Sequence, residues 1–309
     1  MLKGRQKVNE NVHENGNIME INVSSGSKAE VLARVEDLMS DNVSASGNSH
    51  GFYIVTPNPE LVLEAQKNEK LKTALNGALF SIPDGIGLSQ AAKYFSLGLP
   101  KEKILRFIVG FFQGFWVGAA TFFDREWLTR EVKTIKGRVF FMDLIGLADK
   151  NGWKVFLLGG LGQEALAALQ KLRMGYKKLR IEADGGPKLN KNARPITEVD
   201  KKTEKDVIDK INRFNPDLLF VAFGNPKQEI WIHDNLSKLN IGGAMAVGGT
   251  LRYVAGASKL PPVWMEQAGL EWLWRLMTEP FRLNRIWNAV VVFPWKVFLY
   301  KVSGEERIK

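Results

Sequence analysis

The 309-residue chain has no cysteine and only three histidines, His13, His50 and His233, set far apart. That excludes disulfides, thiol nucleophiles and Cys-based zinc sites, and argues against a His-rich metal centre. No D-x-D element stands near a predicted strand end, so neither a bound divalent ion nor any other cofactor is expected. The first residues, MLKGRQKVNENVHENGN, lack the apolar core of a signal peptide. Residues 1–18 therefore read as a disordered leader, and the chain as cytoplasmic. Lys and Arg exceed Asp and Glu by 43 to 33, a net charge of +10. This excess suits nucleic acid, anionic lipid or phosphate-bearing ligands alike. The basic residues are scattered and no RRM, KH or helix-turn-helix pattern is present, so nucleic acid is the weaker reading.

What is present is a recurring strand, glycine turn and helix. Strands are predicted at 19–23, 51–55, 78–82, 154–158, 217–223 and 244–247. Helices are predicted at 27–40, 60–67, 88–95, 163–173, 204–214 and 229–239, with a polar loop at 184–202. Continuous apolar runs such as DLLFVAF mark strands covered on both faces. The fold class is α/β, a Rossmann-like mostly parallel sheet with helices on both faces. The expected α/β domain spans 19–268, interrupted by an apolar helical insertion at about 102–137. A C-terminal helical, membrane-associating appendage at 269–309 follows it.

In such sheets ligands bind at the carboxyl ends of the strands, where the glycine turns lie. Gly159-Gly160 and Gly248-Gly249 are placed to offer backbone N–H groups to a phosphate, or are simply tight connections. Neither fits a dinucleotide or P-loop signature, but several turns on one edge favour a nucleotide. Asp84, between Pro83 and Gly85, is placed either as a general base or as a helix N-cap, and spacing alone favours the cap. Thr56 and Asn58 offer a hydroxyl and an amide to a sugar or phosphate, or serve the turn they occupy. Lys227 and Gln228 open a helix from a strand end. Gln228 either meets a donor sugar or base, or lies in a solvated first turn. His233 reads as a surface or packing residue.

T-P-N-P-E (Thr56 to Glu60), P-D-G-I-G (Pro83 to Gly87), V-F-L-L-G-G (Val155 to Gly160), V-A-F-G-N-P-K-Q-E-I-W-I (Val221 to Ile232) and a later G-L-E-W-L-W-R-L…E-P-F-R resemble, in order and context, the WecG/TagA/CpsF glycosyltransferases, family 26. The resemblance implies an inverting hexosyltransferase. Its donor would be a UDP-sugar, often of N-acetylmannosamine or its uronic acid. Its acceptor would be an undecaprenyl-diphosphate-linked amino sugar, in the synthesis of a surface polysaccharide or teichoic acid. It implies Asp84 as base, with Thr56, Asn58 and Gln228 lining the site. Arg138 and Asp143 come from an R-V-x-x-x-D-L segment, and Arg275, Arg282 and Arg285 would meet a diphosphate. The sequence departs from the family at Phe141, at Leu251-Arg252-Tyr253 and at Lys259-Leu260-Pro261-Pro262. A catalytically inactive membrane scaffold of the same fold is the alternative.

Two segments point to a membrane surface. Residues 104–123, ILRFIVGFFQGFWVGAATFF, are as long as a membrane span and carry G-x-x-x-G-x-x-x-G at Gly110, Gly114 and Gly118. A single crossing would put Asp84 and Arg138 on opposite sides, so an in-plane or re-entrant helix, an oligomer contact or a buried core helix is expected instead. Residues 286–300 are apolar, rich in aromatics and flanked by basic residues, as in an interfacial anchor, or else dock on the chain's own core.

Overall fold

The computed structural model describes residues 15–44, 51–267, 270–279 and 283–304. The chain opens with a hairpin, β1 (Asn15–Ile18) and β2 (Ile21–Ser24), paired antiparallel with Ile18 opposite Ile21. Met19 and Glu20 both have positive φ, the backbone of a two-residue hairpin turn whose twist matches its strands. The strand expected at 19–23 is thus cut by a turn, and Asn15–Ile18, the end of the expected leader, is ordered strand. The rest of that leader lies outside the described residues.

Helix α1 (Lys28–Ser44) leads to β3 (Phe52–Val55), α2 (Pro59–Ala65), α3 (Glu69–Asn76), β4 (Phe80–Ser81) and α4 (Ile86–Ser96). The segment expected as an insertion forms α5 (Lys103–Phe123) and a short α6 (Arg125–Leu128). Then come α7 (Gly137–Asn151), β5 (Lys154–Gly159), α8 (Glu164–Gly175), β6 (Arg180–Asp184), α9 (Glu198–Phe214), β7 (Leu218–Ala222), α10 (Lys227–Asn235), β8 (Gly243–Ala246) and α11 (Thr250–Val254). The C-terminal segment holds α12 (Val263–Gln267), α13 (Glu271–Thr278), α14 (Leu283–Trp287), a π-turn (Asn288–Val292) and α15 (Phe293–Ser303).

β3 to β8 make one six-stranded sheet, order β4-β3-β8-β7-β5-β6, with every pairing parallel. Its two faces bury separate cores because side chains alternate along a strand. Val55, Phe156, Leu158, Leu219 and Val221 point to the layer of α2, α3, α9 and α10. Ile54, Val155, Leu157, Phe220 and Met245 point to that of α1, α7, α8 and α11. The edge-to-face pair Phe141–Phe220, with centroids 4.7 Å apart, locks α7 to β7. Phe141, where the family resemblance expects glycine, is therefore a core side chain.

β6 was not predicted, and only its last residue, Asp184, falls in the polar loop expected at 184–202. It is an edge strand beside β5, and its alternating exposure explains the weak apolar signal. The helix expected from 204 starts six residues earlier, at a capping box in which Thr197 and Asp200 satisfy each other's backbone N–H groups.

Candidate active site

A cleft of about 780 Å³ runs along the carboxyl edge of the sheet. The turns after β3, β4, β5, β7 and β8 form its floor, and α13 and α14 approach it from the C-terminal side. Thr56, Asn58, Asp84, Arg138, Gly160, Lys227, Gln228, Gly248, Gly249, Arg275 and Arg285 all line it. Segments far apart in sequence are thus brought together. Arg282 lies outside the described residues.

Two expected residues are elsewhere. Asp143 is not in the cleft lining; it sits on α7 and pairs with Lys28 of α1 at 2.7 Å. Gly159 lies one residue short of the lining. A Cβ there would come within 2.9 Å of the Ala222 backbone, so its role is to let β5 and β7 run close together.

Asp84 is not the helix cap that spacing favoured. Gly85, at φ 92°, holds the N-cap position of α4 and no side chain caps that helix. The carboxylate instead faces Gly137, whose N–H donates to Oδ1 at 3.5 Å. The fit at 137 is tight, because a Cβ would lie 3.3 Å from the Thr56 methyl. Desolvation pushes the Asp84 carboxyl above its ordinary pKa. Arg275 and the Gly137 N–H pull it back, Glu271 pushes it up and Arg138 lowers it, and the net shift is upward. Asn58 does cap α2, its Oδ1 accepting from Leu61 N–H at 3.0 Å, while still lining the cleft.

Gln228 is 1% exposed, so the solvated first turn is not what α10 provides. Its Oε1 accepts from the N–H groups of Gly224 (3.2 Å) and Gly248 (3.0 Å), and its Nε2 donates to Asn225 and Glu229, both at 2.8 Å. Its full hydrogen-bonding capacity is met within the protein, so it braces the turns after β7 and β8. Two of the glycine N–H groups expected to face a phosphate are thus taken within the protein. Gly248 N–H is held by Gln228, and Gly160 N–H donates to the Ala222 carbonyl at 2.9 Å. The cationic side chains that line the cleft are Lys136, Arg138, Lys188, Lys227, Arg252, Arg275 and Arg285.

Sequence reading missed Lys136, Glu266, Glu271 and Glu229. Lys136 bonds to Glu266 and, at 2.6 Å, to Glu271. Glu229 is fully buried beneath Gln228. The adjacency of Glu229 to Gln228 and of Glu271 to the Arg275 segment was the one available signal.

Residues 16–107 and 120–307 match the glycosyl transferase WecG/TagA/CpsF family. The chain belongs to this family. Among its relatives is an N-acetylglucosaminyldiphosphoundecaprenol N-acetyl-beta-D-mannosaminyltransferase of Bacillus spizizenii W23, 27% identical over 238 residues, 76% of this chain and 75% of that protein. A protein of the same name from Staphylococcus aureus NCTC 8325 is 26% identical over 265 residues, 85% of this chain and 84% of that one. The break in the family match, 108–119, falls inside α5. The cleft, by contrast, is built from family-matched sequence throughout.

Proposed function

We propose that this family member is an inverting transferase that moves a hexosamine, N-acetylmannosamine or its uronic acid, from a UDP-sugar to an amino sugar on undecaprenyl diphosphate. The names of its relatives support the acceptor and the class of sugar. The observation that carries the chemistry is Asp84, a single carboxylate of raised pKa on the wall of a cleft rich in cations. The acceptor hydroxyl gives its proton to the Asp84 carboxylate as its oxygen attacks the anomeric carbon. The bond to the UDP oxygen breaks on the opposite face. An upward-shifted carboxylate is the stronger base for that proton. Arg138 and Arg275 line the cleft where charge develops on the leaving diphosphate, and no metal is assigned to the step.

The same reading places the chain at the inner face of the cell membrane without crossing it. α5 is long and apolar enough to span a bilayer. Yet Asp84 before it and Arg138 after it line one cleft, which supports an in-plane helix. α5 packs along α15, and both leave aromatic side chains exposed, among them Phe112, Phe115, Trp116 and Trp295. A membrane interface accommodates such a face.

UDP release over a panel of UDP-sugars, with a lipid-diphosphate-GlcNAc analogue as acceptor, tests the assignment. Asp84→Asn lowers turnover by about 10²–10⁴-fold, the usual contribution of a positioned base. UDP binding by calorimetry stays within a few-fold of wild type. Full turnover in that variant removes Asp84 as the base.

A further inference from the structure

Lys136 and Arg138 lie at the start of α7, and both are neutralised from the C-terminal segment. Lys136 pairs with Glu266 of α12 and with Glu271 of α13. Arg138 Nη2 is 2.7 Å from Glu266 Oε1 and 3.5 Å from Glu271 Oε1. A single oxygen of Glu266 thus bridges the ammonium and the guanidinium, as a phosphate oxygen would. All four side chains are partly exposed, 16% to 33%.

The charges around this cluster balance. Lys136, Arg138 and Arg275 face Asp84, Glu266 and Glu271. A diphosphate brings at least two more negative charges, so it is seated beside these cations only if a carboxylate withdraws. Glu271 shares its helix with Arg275 and acts on Asp84. Glu266 is outside the cleft lining and belongs to a five-residue helix that buries Met265 but leaves Val263 and Trp264 exposed. Glu266 is the group free to leave.

We propose that Lys136 and Arg138 form a diphosphate-binding site that Glu266 occupies as a stand-in until a substrate diphosphate displaces it. The proposal rests on the diphosphate chemistry of the function above. It adds Lys136 as a binding residue and makes α12 a latch. Diphosphate binding releases α12 from α7.

Calorimetric titration of the whole chain with inorganic diphosphate tests this. Glu266→Gln binds it about fivefold more tightly, the change that an ion pair of this exposure supports. Lys136→Met binds it at least about tenfold more weakly, since a charge-assisted contact is lost. Hydrogen exchange over 259–267 in the wild-type chain accelerates when diphosphate is added. Unchanged or weaker binding by Glu266→Gln overturns the proposal, as does unaltered binding by Lys136→Met. If Glu266→Gln does not melt cooperatively, the Lys136→Met titration and the wild-type exchange decide. Parallel titrations with UDP and with geranyl diphosphate show whether the donor or the lipid acceptor takes the site, by which of them gains affinity in Glu266→Gln. A chain that binds diphosphate in this pattern but releases UDP from no UDP-sugar keeps the site and loses the transferase reading. Turnover together with diphosphate affinity indifferent to Glu266 does the reverse.

Discussion

Asp84 and Glu229 are both carboxylates raised by burial, and their neighbours give them different work. Asp84 opens to the cleft and to cations. Glu229 is fully buried; one oxygen accepts from Gln228, and the other has no hydrogen-bond partner. Burial is the first cause of its upward shift to about 7, and the Gln228 hydrogen bond only partly offsets it. A raised folded-state pKa means that the stability tied to the neutral form is fully present below the unfolded value of 4.5 and is lost as pH rises through about 7. By pH 8 the ionised Glu229 costs on the order of 3 kcal/mol. Glu229→Gln keeps an acceptor for Gln228 and removes the ionisation. Its melting temperature relative to wild type therefore rises more at pH 8 than at pH 5, and equal differences at the two pH values would contradict the assignment. Thr56, Asn58, Asp84 and Gln228 could be picked out from the sequence because each sits in a short local pattern at a strand end. Which way Gln228 points was not legible, since one of its four partners, Gly248, comes from the turn after another strand. The cluster of Lys136 with Glu266 and Glu271 was invisible for a stronger reason: its partners are 130 and 135 residues apart.

At the scale of elements, the strands covered on both faces were the most legible, because DLLFVAF and KVFLL have no polar alternation to confuse them with surface. The edge strand β6, the short α3 and the hairpin turn at Met19-Glu20 were not. Each owes its existence to neighbours: β6 to pairing with β5, and the hairpin to hydrogen bonds such as Gln66 Nε2 to the Met19 carbonyl at 2.8 Å. The glycine repeat of α5 was legible as a close-contact face, but its partner is inside the chain. At Gly110 a Cβ would lie 3.0 Å from a Val302 methyl and 3.1 Å from the Tyr94 hydroxyl, which itself donates to the Gly110 carbonyl. At Gly118 a Cβ would meet nothing within 4 Å. The two glycines therefore respond oppositely to alanine. Gly110→Ala wedges α5 from α15 and α4 and destabilises by about 1–3 kcal/mol. Gly118→Ala gains helix propensity and stabilises by about 0.5–1 kcal/mol. Denaturant melts of the two variants check this; destabilisation of equal size in both would mean that α5 does not pack as described.

On the scale of the whole molecule, the paired helices α5 and α15 connect the two walls of the cleft to one apolar surface. α4 starts next to Asp84 and runs to Tyr94, whose carbonyl accepts from the Lys301 ammonium of α15. α13 and α14 carry Arg275 and Arg285 into the cleft and lead directly into α15. A surface that held α5 and α15 would therefore hold both Asp84 and the arginines at a fixed height above it. The inward faces are already occupied: Phe298 packs edge-on against Phe107 at 5.1 Å. The outward residues Phe112, Phe115 and Trp116 remain 66%, 74% and 65% exposed, and no contact among the described residues accounts for that much aromatic surface. Each such side chain gains about 1.5–3 kcal/mol when fully buried, and basic residues near anionic lipid add about 1 kcal/mol apiece at low salt. The full chain accordingly co-sediments with phosphatidylglycerol-containing vesicles and is partly released as salt rises. Replacing Phe112, Phe115 and Trp116 together by serine lowers the partition coefficient by at least about tenfold, since even half of the available transfer energy from three aromatics exceeds that factor. The melting temperature in solution hardly moves, because these side chains support little of the core. Undiminished vesicle binding in the triple variant would mean that the bilayer is not what covers this face.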